Sequence, residues 1–177
     1  MQETLRRIIE TSEARNLPFL LIGGNAIILL GYIRNTIDID FLVQSEKRSQ
    51  WLDLMRDLGF RFLHGTGAFA QFEPAESGEP GVDLMFVNAA TWEKLSESSI
   101  TGHAAGREVR IPRPEHLVAL KLHAASSPTR SKPEVDWEDI RQIVRICGLN
   151  IADPEFRQII LRYGGENAVL RIESFRR

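Results

Sequence analysis

Residues 23–40 contain the most informative pattern in this chain of 177 residues, and they read GGNAIILLGYIRNTIDID. The apolar stretch 18–22 comes directly before Gly23-Gly24 and has the length of a short buried strand. Two adjacent glycines after such a strand favour a tight turn, and the residues that follow predict a helix from about 25 to 32. The pattern therefore predicts a strand, a glycine turn and a helix, in that order.

Three aspartates lie on predicted strands. Asp38 and Asp40 alternate with apolar residues at 37, 39, 41 and 43, which predicts a strand with one apolar face and both carboxylates on the other. Residues two apart on a strand are about 7 Å apart at the backbone. Asp83 lies on a second predicted strand, 82–87, that is otherwise apolar. Because unpaired carboxylates are costly to bury, the aspartates predict a cation nearby.

Mg²⁺ is the cation that best fits such a set, because it prefers hard oxygen ligands and keeps positions open for water and substrate phosphates. Three carboxylates could hold two Mg²⁺ ions about 3.5 to 4 Å apart, one activating the attacking oxygen and one neutralising a leaving pyrophosphate. Backbone N–H groups at a Gly-Gly turn, together with the start of the next helix, suit a triphosphate. The alternative is a plain tight turn and the polar face of an exposed strand. Either fragment alone fits that alternative, but their order and spacing together favour a functional site.

The stretch 23–40 resembles the signature of the nucleotidyltransferase superfamily, which includes polymerase beta, the antibiotic nucleotidyltransferases and the AbiEii/MenT toxins. The version with Gly-Gly, a long helix and Arg-x-Thr before Asp-x-Asp is most similar to the AbiEii-like branch, whereas the antibiotic-modifying branch usually has Gly-Ser and a shorter gap. The resemblance implies an α/β (α+β) nucleotidyltransferase fold, in which a small mixed sheet is flanked by helices and followed by a helical C-terminal lobe.

The resemblance also implies which residues form the site. The aspartates would bind Mg²⁺ and, with a downstream lysine, form the catalytic set: Asp38, Asp40, Asp83 and Lys121. The nucleotide-binding set would include the glycine turn, the residues before the aspartate strand and a later basic-acidic element: Gly23, Gly24, Asn25, Arg34, Thr36, Lys121, Arg130, Lys132 and Asp136.

Several of these residues have simpler explanations. Lys121 lies on an apolar helix stripe, where it either extends to solvent or reaches an active site. Asp136 and Asp139 are explained by the dipole of a helix predicted from 132 to 147, which a capping box over 131–134 would start. Arg34 would orient the aspartate strand or cap the preceding helix, and the basic loop at 130–132 would be solvated.

The chain is expected to form a single domain, 1–177, with a sheet-containing lobe at 1–112 and a helical lobe at 113–177 that closes over the cleft. A net charge of −2 excludes a general electrostatic grip on nucleic acid or an anionic membrane, so any anion site is local. The lone Cys147 indicates a reduced protein without structural zinc. Charges throughout 1–15, and the proline and glycines within the uncharged run 16–33, argue against secretion and membrane insertion. A cytoplasmic location is expected.

These observations together predict transfer of a nucleoside monophosphate from an NTP to an acceptor hydroxyl, with Mg²⁺ as cofactor and pyrophosphate as the second product. The acceptor would be RNA such as tRNA, a protein or a small molecule. A toxin role with an antitoxin partner is a further hypothesis from the resemblance. The alternative function is a catalytically silent module that binds nucleotide, RNA or a partner on the same fold.

Overall fold

The structure, a computed structural model, describes residues 1–75, 78–128 and 132–175. The chain divides into two units. The first comprises Met1–Leu29 and Ile33–Pro112, and the second comprises Leu30–Tyr32 and Arg113–Arg177.

A five-stranded mixed sheet organises the first unit, with the strand order β1-β2-β5-β4-β3. The strands are β1 (Phe19–Ile22), β2 (Asp38–Gln44), β3 (Phe60–Gly65), β4 (Phe69–Pro74) and β5 (Gly81–Val87). β2 and β5 run parallel at the centre, and the other neighbouring strands pair antiparallel. A separate two-stranded ribbon is formed by β6 (Ile100–Ala104) and β7 (Arg107–Ile111).

Four α-helices accompany these strands in the described part of the first unit: α1 (Gln2–Ala14), α2 (Gly23–Leu29), α3 (Arg48–Asp57) and α4 (Ala89–Glu97). Apolar side chains on one face of β2 form the core with α3. The rings of Phe41 and Trp51 lie 6.0 Å apart, and both side chains are fully buried. Burying each such side chain contributes about 1.5 to 3 kcal/mol, which fixes the register of β2 and therefore the direction of its aspartates.

The second unit is helical, with α5 (Pro114–Ala125), α6 (Pro133–Ile146) and α7 (Pro154–Ser174). α5 packs against both α6 and α7. α7 contains one non-helical residue, Gly165, at φ 70° and ψ −173°. Within the described residues, no helix combines the length and apolar character required to cross a membrane.

Two local predictions were wrong, and one helix was not predicted. Ile37 was assigned to the apolar face of the aspartate strand, but β2 begins at Asp38 and Ile37 is 79% exposed. α2 begins at Gly23 and ends at Leu29, before Gly31, whose φ of +101° leaves the helical region. α4 was not predicted, because its sequence has a weak apolar stripe; its start is capped by Asn88, whose side chain accepts a hydrogen bond from the backbone N–H of Thr91.

The predicted capping box lies partly outside the described residues, because Ser131 is not among them. α6 starts one residue later than expected, with Lys132 at the N-cap position and no side-chain cap there. Its end agrees with the prediction, since Cys147 is the C-cap and Gly148 follows with φ +63°.

Candidate active site

The three aspartates lie on one face of the sheet. Asp40 on β2 and Asp83 on β5 are register partners in parallel strands, so their side chains point to the same side and are neighbours. Asp38 precedes Asp40 by two residues and therefore shares that side. All three are half-buried, whereas Ile39 on the reverse face is fully buried. The apolar core therefore directs the carboxylates to the opposite, accessible face.

Two glycines make room for these carboxylates. Gly23 has φ +61°, and a Cβ atom there would lie 2.0 Å from Oδ2 of Asp40. Gly81 is the register partner of Asp38, and a Cβ on it would lie 2.8 Å from Oδ1 of Asp38. Only glycine allows such an approach together with a positive φ at position 23. Gly23 of the glycine turn therefore lies directly against Asp40, and Gly81 lies directly against Asp38.

The predicted nucleotide-binding residues near the turn hold the start of β2. Asn25 Nδ2 and Thr36 Oγ1 donate to the backbone carbonyl of Asp38, at 3.0 and 3.2 Å. A Cβ on Gly24 would lie 2.6 Å from Thr36 Oγ1 and 3.6 Å from Cζ of Arg34. These contacts fix the backbone of Asp38 against α2.

The same residues also border open space. Asn25, Arg34 and Thr36 line a cavity of about 520 Å³ together with Asn35 and His103. That volume falls within the range of small-ligand pockets. The cavity therefore offers room for a ligand beside Asn25 of α2 and the residues that precede β2.

A further polar contact to the aspartates was missed. Gln71 Nε2 on β4 donates to Asp83 Oδ2 at 3.3 Å. The only sign of it in the sequence is that Gln71 is the one polar residue in the otherwise apolar run Phe69-Ala-Gln-Phe72. Its partner could not be identified without the register between β4 and β5.

The donor set suits Mg²⁺ in its chemistry. In the ranges that the structure describes, no three His, Cys, Asp or Glu side chains are arranged as a ready metal-binding group. Mg²⁺ does not require one, because it is commonly held by one or two carboxylates together with substrate phosphates and water. Asp40 and Asp83 on one face, with Asp38 beside them, supply hard oxygen ligands of that kind.

Lys121 and Asp136 belong to the second unit and are in contact. Lys121 Nζ lies 3.0 Å from Asp136 Oδ1 and 2.8 Å from Asp139 Oδ2. The two carboxylate side chains are 0% and 2% exposed, and that of Lys121 is 14% exposed. The lysine therefore reaches α6 rather than solvent. The helix dipole alone does not explain why two aspartates are buried on α6. The ion pairs with Lys121 explain it, because a buried charge needs a partner.

Two predicted site residues remain, Lys132 and Arg130. Lys132 is exposed at the start of α6. Arg130 lies outside the described residues.

Comparison with solved structures identifies the fold. No protein-family model matches the sequence, and the comparison with curated proteins gives no match. The antibiotic-resistance factor ANT(2'')-Ia in solution aligns with a TM-score of 0.70 and 20% identity, over 99% of this chain and 97% of that chain. Its crystal structure with adenylyl-2''-tobramycin gives a TM-score of 0.65 and 21% identity, over 99% and 96%.

A lincosamide-modifying protein has a similar fold. The lincomycin-bound lincosamide antibiotic adenylyltransferase LnuA gives a TM-score of 0.58 and 17% identity, over 82% of this chain and 98% of that chain. At these low sequence identities, the comparison shows a similar fold and nothing further. The predicted fold class is confirmed: the chain has the mixed α/β fold of the nucleotidyltransferases.

Proposed function

We propose that the protein is a Mg²⁺-dependent nucleotidyltransferase that moves a nucleoside monophosphate from an NTP to an acceptor hydroxyl. The observation that supports this most directly is the pairing of Asp40 and Asp83 on adjacent parallel strands, with Gly23 against Asp40. A strand end bearing carboxylates beside a glycine turn offers cation ligands and backbone N–H groups to the same phosphate chain.

Such a site would support substitution at the α-phosphorus of the NTP. The acceptor oxygen attacks the α-phosphorus, the bond from that phosphorus to the bridging oxygen of the β-phosphate breaks, and pyrophosphate leaves. Asp83 would take the proton of the acceptor hydroxyl as a general base. Alternatively, Asp83 would be a ligand of a cation on the acceptor side. Asp38, Asp40 and Asp83 would hold Mg²⁺, which when bound neutralises negative charge on the phosphates. The protein otherwise contributes positioning.

The cavity lined by Asn25, Arg34 and Thr36 offers a place for part of the nucleotide. Asn25 and Thr36 line it and also fix the backbone of Asp38. A ligand there would therefore be placed relative to the aspartate strand. Arg34 adds a positive charge to the same wall, which suits a phosphate or a sugar oxygen.

For the acceptor we propose a hydroxyl of a small molecule. The likeness to ANT(2'')-Ia covers nearly all of both chains, and that protein's crystal structure contains an adenylylated tobramycin. An RNA acceptor such as tRNA is the second candidate, because the Gly-Gly and Arg-x-Thr motif is most similar to the AbiEii-like branch. The toxin role, the antitoxin partner and the cytoplasmic location remain hypotheses from the sequence.

The test is label transfer from each α-³²P-labelled NTP to an aminoglycoside, a lincosamide and total tRNA, with and without Mg²⁺. We expect Mg²⁺-dependent labelling of one acceptor class, lost in Asp40→Asn and Asp83→Asn. Asp57→Asn is the matched control, because Asp57 is exposed on α3 and pairs with Arg15 at 3.0 Å. Tight NTP binding without transfer to any acceptor would support the silent binding module instead.

A further inference from the structure

A row of polar side chains crosses the aspartate-bearing face of the sheet. Asp40 on β2 pairs in register with Asp83 on β5, Asp83 pairs with Gln71 on β4, and Gln71 pairs with His64 on β3. Register partners in neighbouring strands share a face. The four residues are therefore consecutive neighbours on one face, and we call them the polar row.

Gln71 is the residue of the polar row that contacts Asp83 from the side away from Asp40. Its Nε2 donates to Asp83 Oδ2 at 3.3 Å, and both side chains are half-buried. The terminal torsion of an aspartate is soft. A donor fixed on the adjacent strand therefore restricts the plane of the carboxylate.

The residue type at position 71 suits this purpose. A carboxylate there would repel Asp83, and an ammonium would neutralise it and compete with a bound cation. The amide of glutamine donates a hydrogen bond without adding charge. Gln71 can therefore orient Asp83 while leaving its negative charge available.

We propose that Gln71 is a positioning residue that holds the Asp83 carboxylate in the orientation needed for nucleotidyl transfer. This inference rests on the proposed function, in which Asp83 takes the acceptor proton or binds a cation. Hydrogen-bond partners of a ligating carboxylate orient it, and their loss commonly lowers metal affinity or activity about 10- to 100-fold. In this role Gln71 acts through Asp83 and not on the reacting atoms.

The competing explanation is that Gln71 only occupies a half-buried position in the sheet. Glu73 provides a matched control for that explanation. It lies two residues further along β4 on the same face, and it pairs with Arg61 at 2.9 Å instead of with an aspartate. Replacing either residue by methionine removes a polar group of similar length from the same strand.

The experiment compares Gln71→Met, Gln71→Glu and Glu73→Met with the unaltered full chain. It measures kcat, the KM for NTP, the thermal midpoint, and binding of Mn²⁺ alone by the loss of its free electron-spin resonance signal. We expect Gln71→Met to lower kcat about 10- to 100-fold and to weaken Mn²⁺ binding, with the KM for NTP and the thermal midpoint nearly unchanged. Gln71→Glu keeps the shape but replaces the donor with a carboxylate that repels Asp83, so it should lower kcat at least as much. Glu73→Met should leave kcat within about twofold.

Two results overturn the inference, and they are distinguishable from failure of the proposed function. A Gln71→Met protein with unaltered kcat and Mn²⁺ binding shows that Asp83 needs no orientation by Gln71. Equal losses in Gln71→Met and Glu73→Met, accompanied by lower thermal midpoints, show a structural role only. If the unaltered chain neither transfers nucleotide nor binds Mn²⁺, the proposed function fails first, and the role of Gln71 fails with it.

Discussion

The backbone of Gly23 lies so close to Asp40 that a Cβ atom on residue 23 would sit 2.0 Å from Oδ2 of that aspartate. Gly23→Ala must therefore displace the carboxylate, and it also places alanine at φ +61°. Because a misplacement of about 1 Å can cost about 100-fold in rate, we expect nucleotidyl transfer to fall at least about 100-fold in a protein that still folds. Steady-state kinetics with circular dichroism on the same sample measure both effects.

Gly59→Ala is the control that shows the effect of backbone strain alone, without displacement of a neighbouring side chain. Gly59 also has a positive φ, +87°, but nothing lies within 4 Å of a Cβ built on it. The free energy of unfolding of this variant should fall by about 1 kcal/mol, and its rate of nucleotidyl transfer should not change. A Gly23→Ala protein with normal activity would show that the position of Asp40 tolerates displacement.

Thr36 and Asn25 share one acceptor, the backbone carbonyl of Asp38. Thr36→Val removes one donor and leaves the other, so we expect a loss of about 1 kcal/mol in the free energy of unfolding. Combining Thr36→Val with Asn25→Leu removes both of these donors from the carbonyl. The double variant should lose more free energy of unfolding than the two single variants lose in sum. Urea denaturation measures these energies, and an additive double variant would argue against the shared role.

The parts of the fold that the sequence predicted are those with a local signal. The alternation of apolar and polar residues through β2 and β5 depends on neighbours two positions apart. It correctly placed Asp38, Asp40 and Asp83 on strands. The turn at Gly23 had an equally local signal. Ile37 was misassigned because alternation alone does not show where strand pairing begins.

Contacts between distant segments could not be predicted in this way. Gln71 meets Asp83 because β4 and β5 pair in one register, and a one-residue shift would put Gln71 on the other face. Lys121 meets Asp139 because α5 packs against α6. Helical spacing indicates which face of each helix is apolar, but not which charged side chains meet across the two helices.

The single cysteine gives a pH-dependent prediction. Burial raises the pKa of the Cys147 thiol, and the negative charge of Glu115 raises it further. The reactive thiolate is therefore scarcer at pH 8 than in a free cysteine. Iodoacetamide should modify the folded protein slowly, with a rate midpoint above that of the urea-unfolded chain, and Glu115→Gln should lower the midpoint slightly. Identical midpoints for the folded and unfolded chains would contradict this.

Lys121 provides the strongest stability prediction in the helical unit. Its ammonium lies 3.0 Å from Asp136 and 2.8 Å from Asp139, and both carboxylates are buried. Lys121→Met leaves these charges without their lysine, so we expect a loss of about 3 to 5 kcal/mol in the free energy of unfolding. The control is Arg141→Met, which breaks an exposed i,i+3 pair with Glu138 and should cost no more than about 1 kcal/mol. Guanidinium denaturation of both variants measures the difference. A Lys121→Met protein of normal stability that no longer transfers nucleotide would instead assign the lysine to catalysis, as the resemblance to nucleotidyltransferases implies.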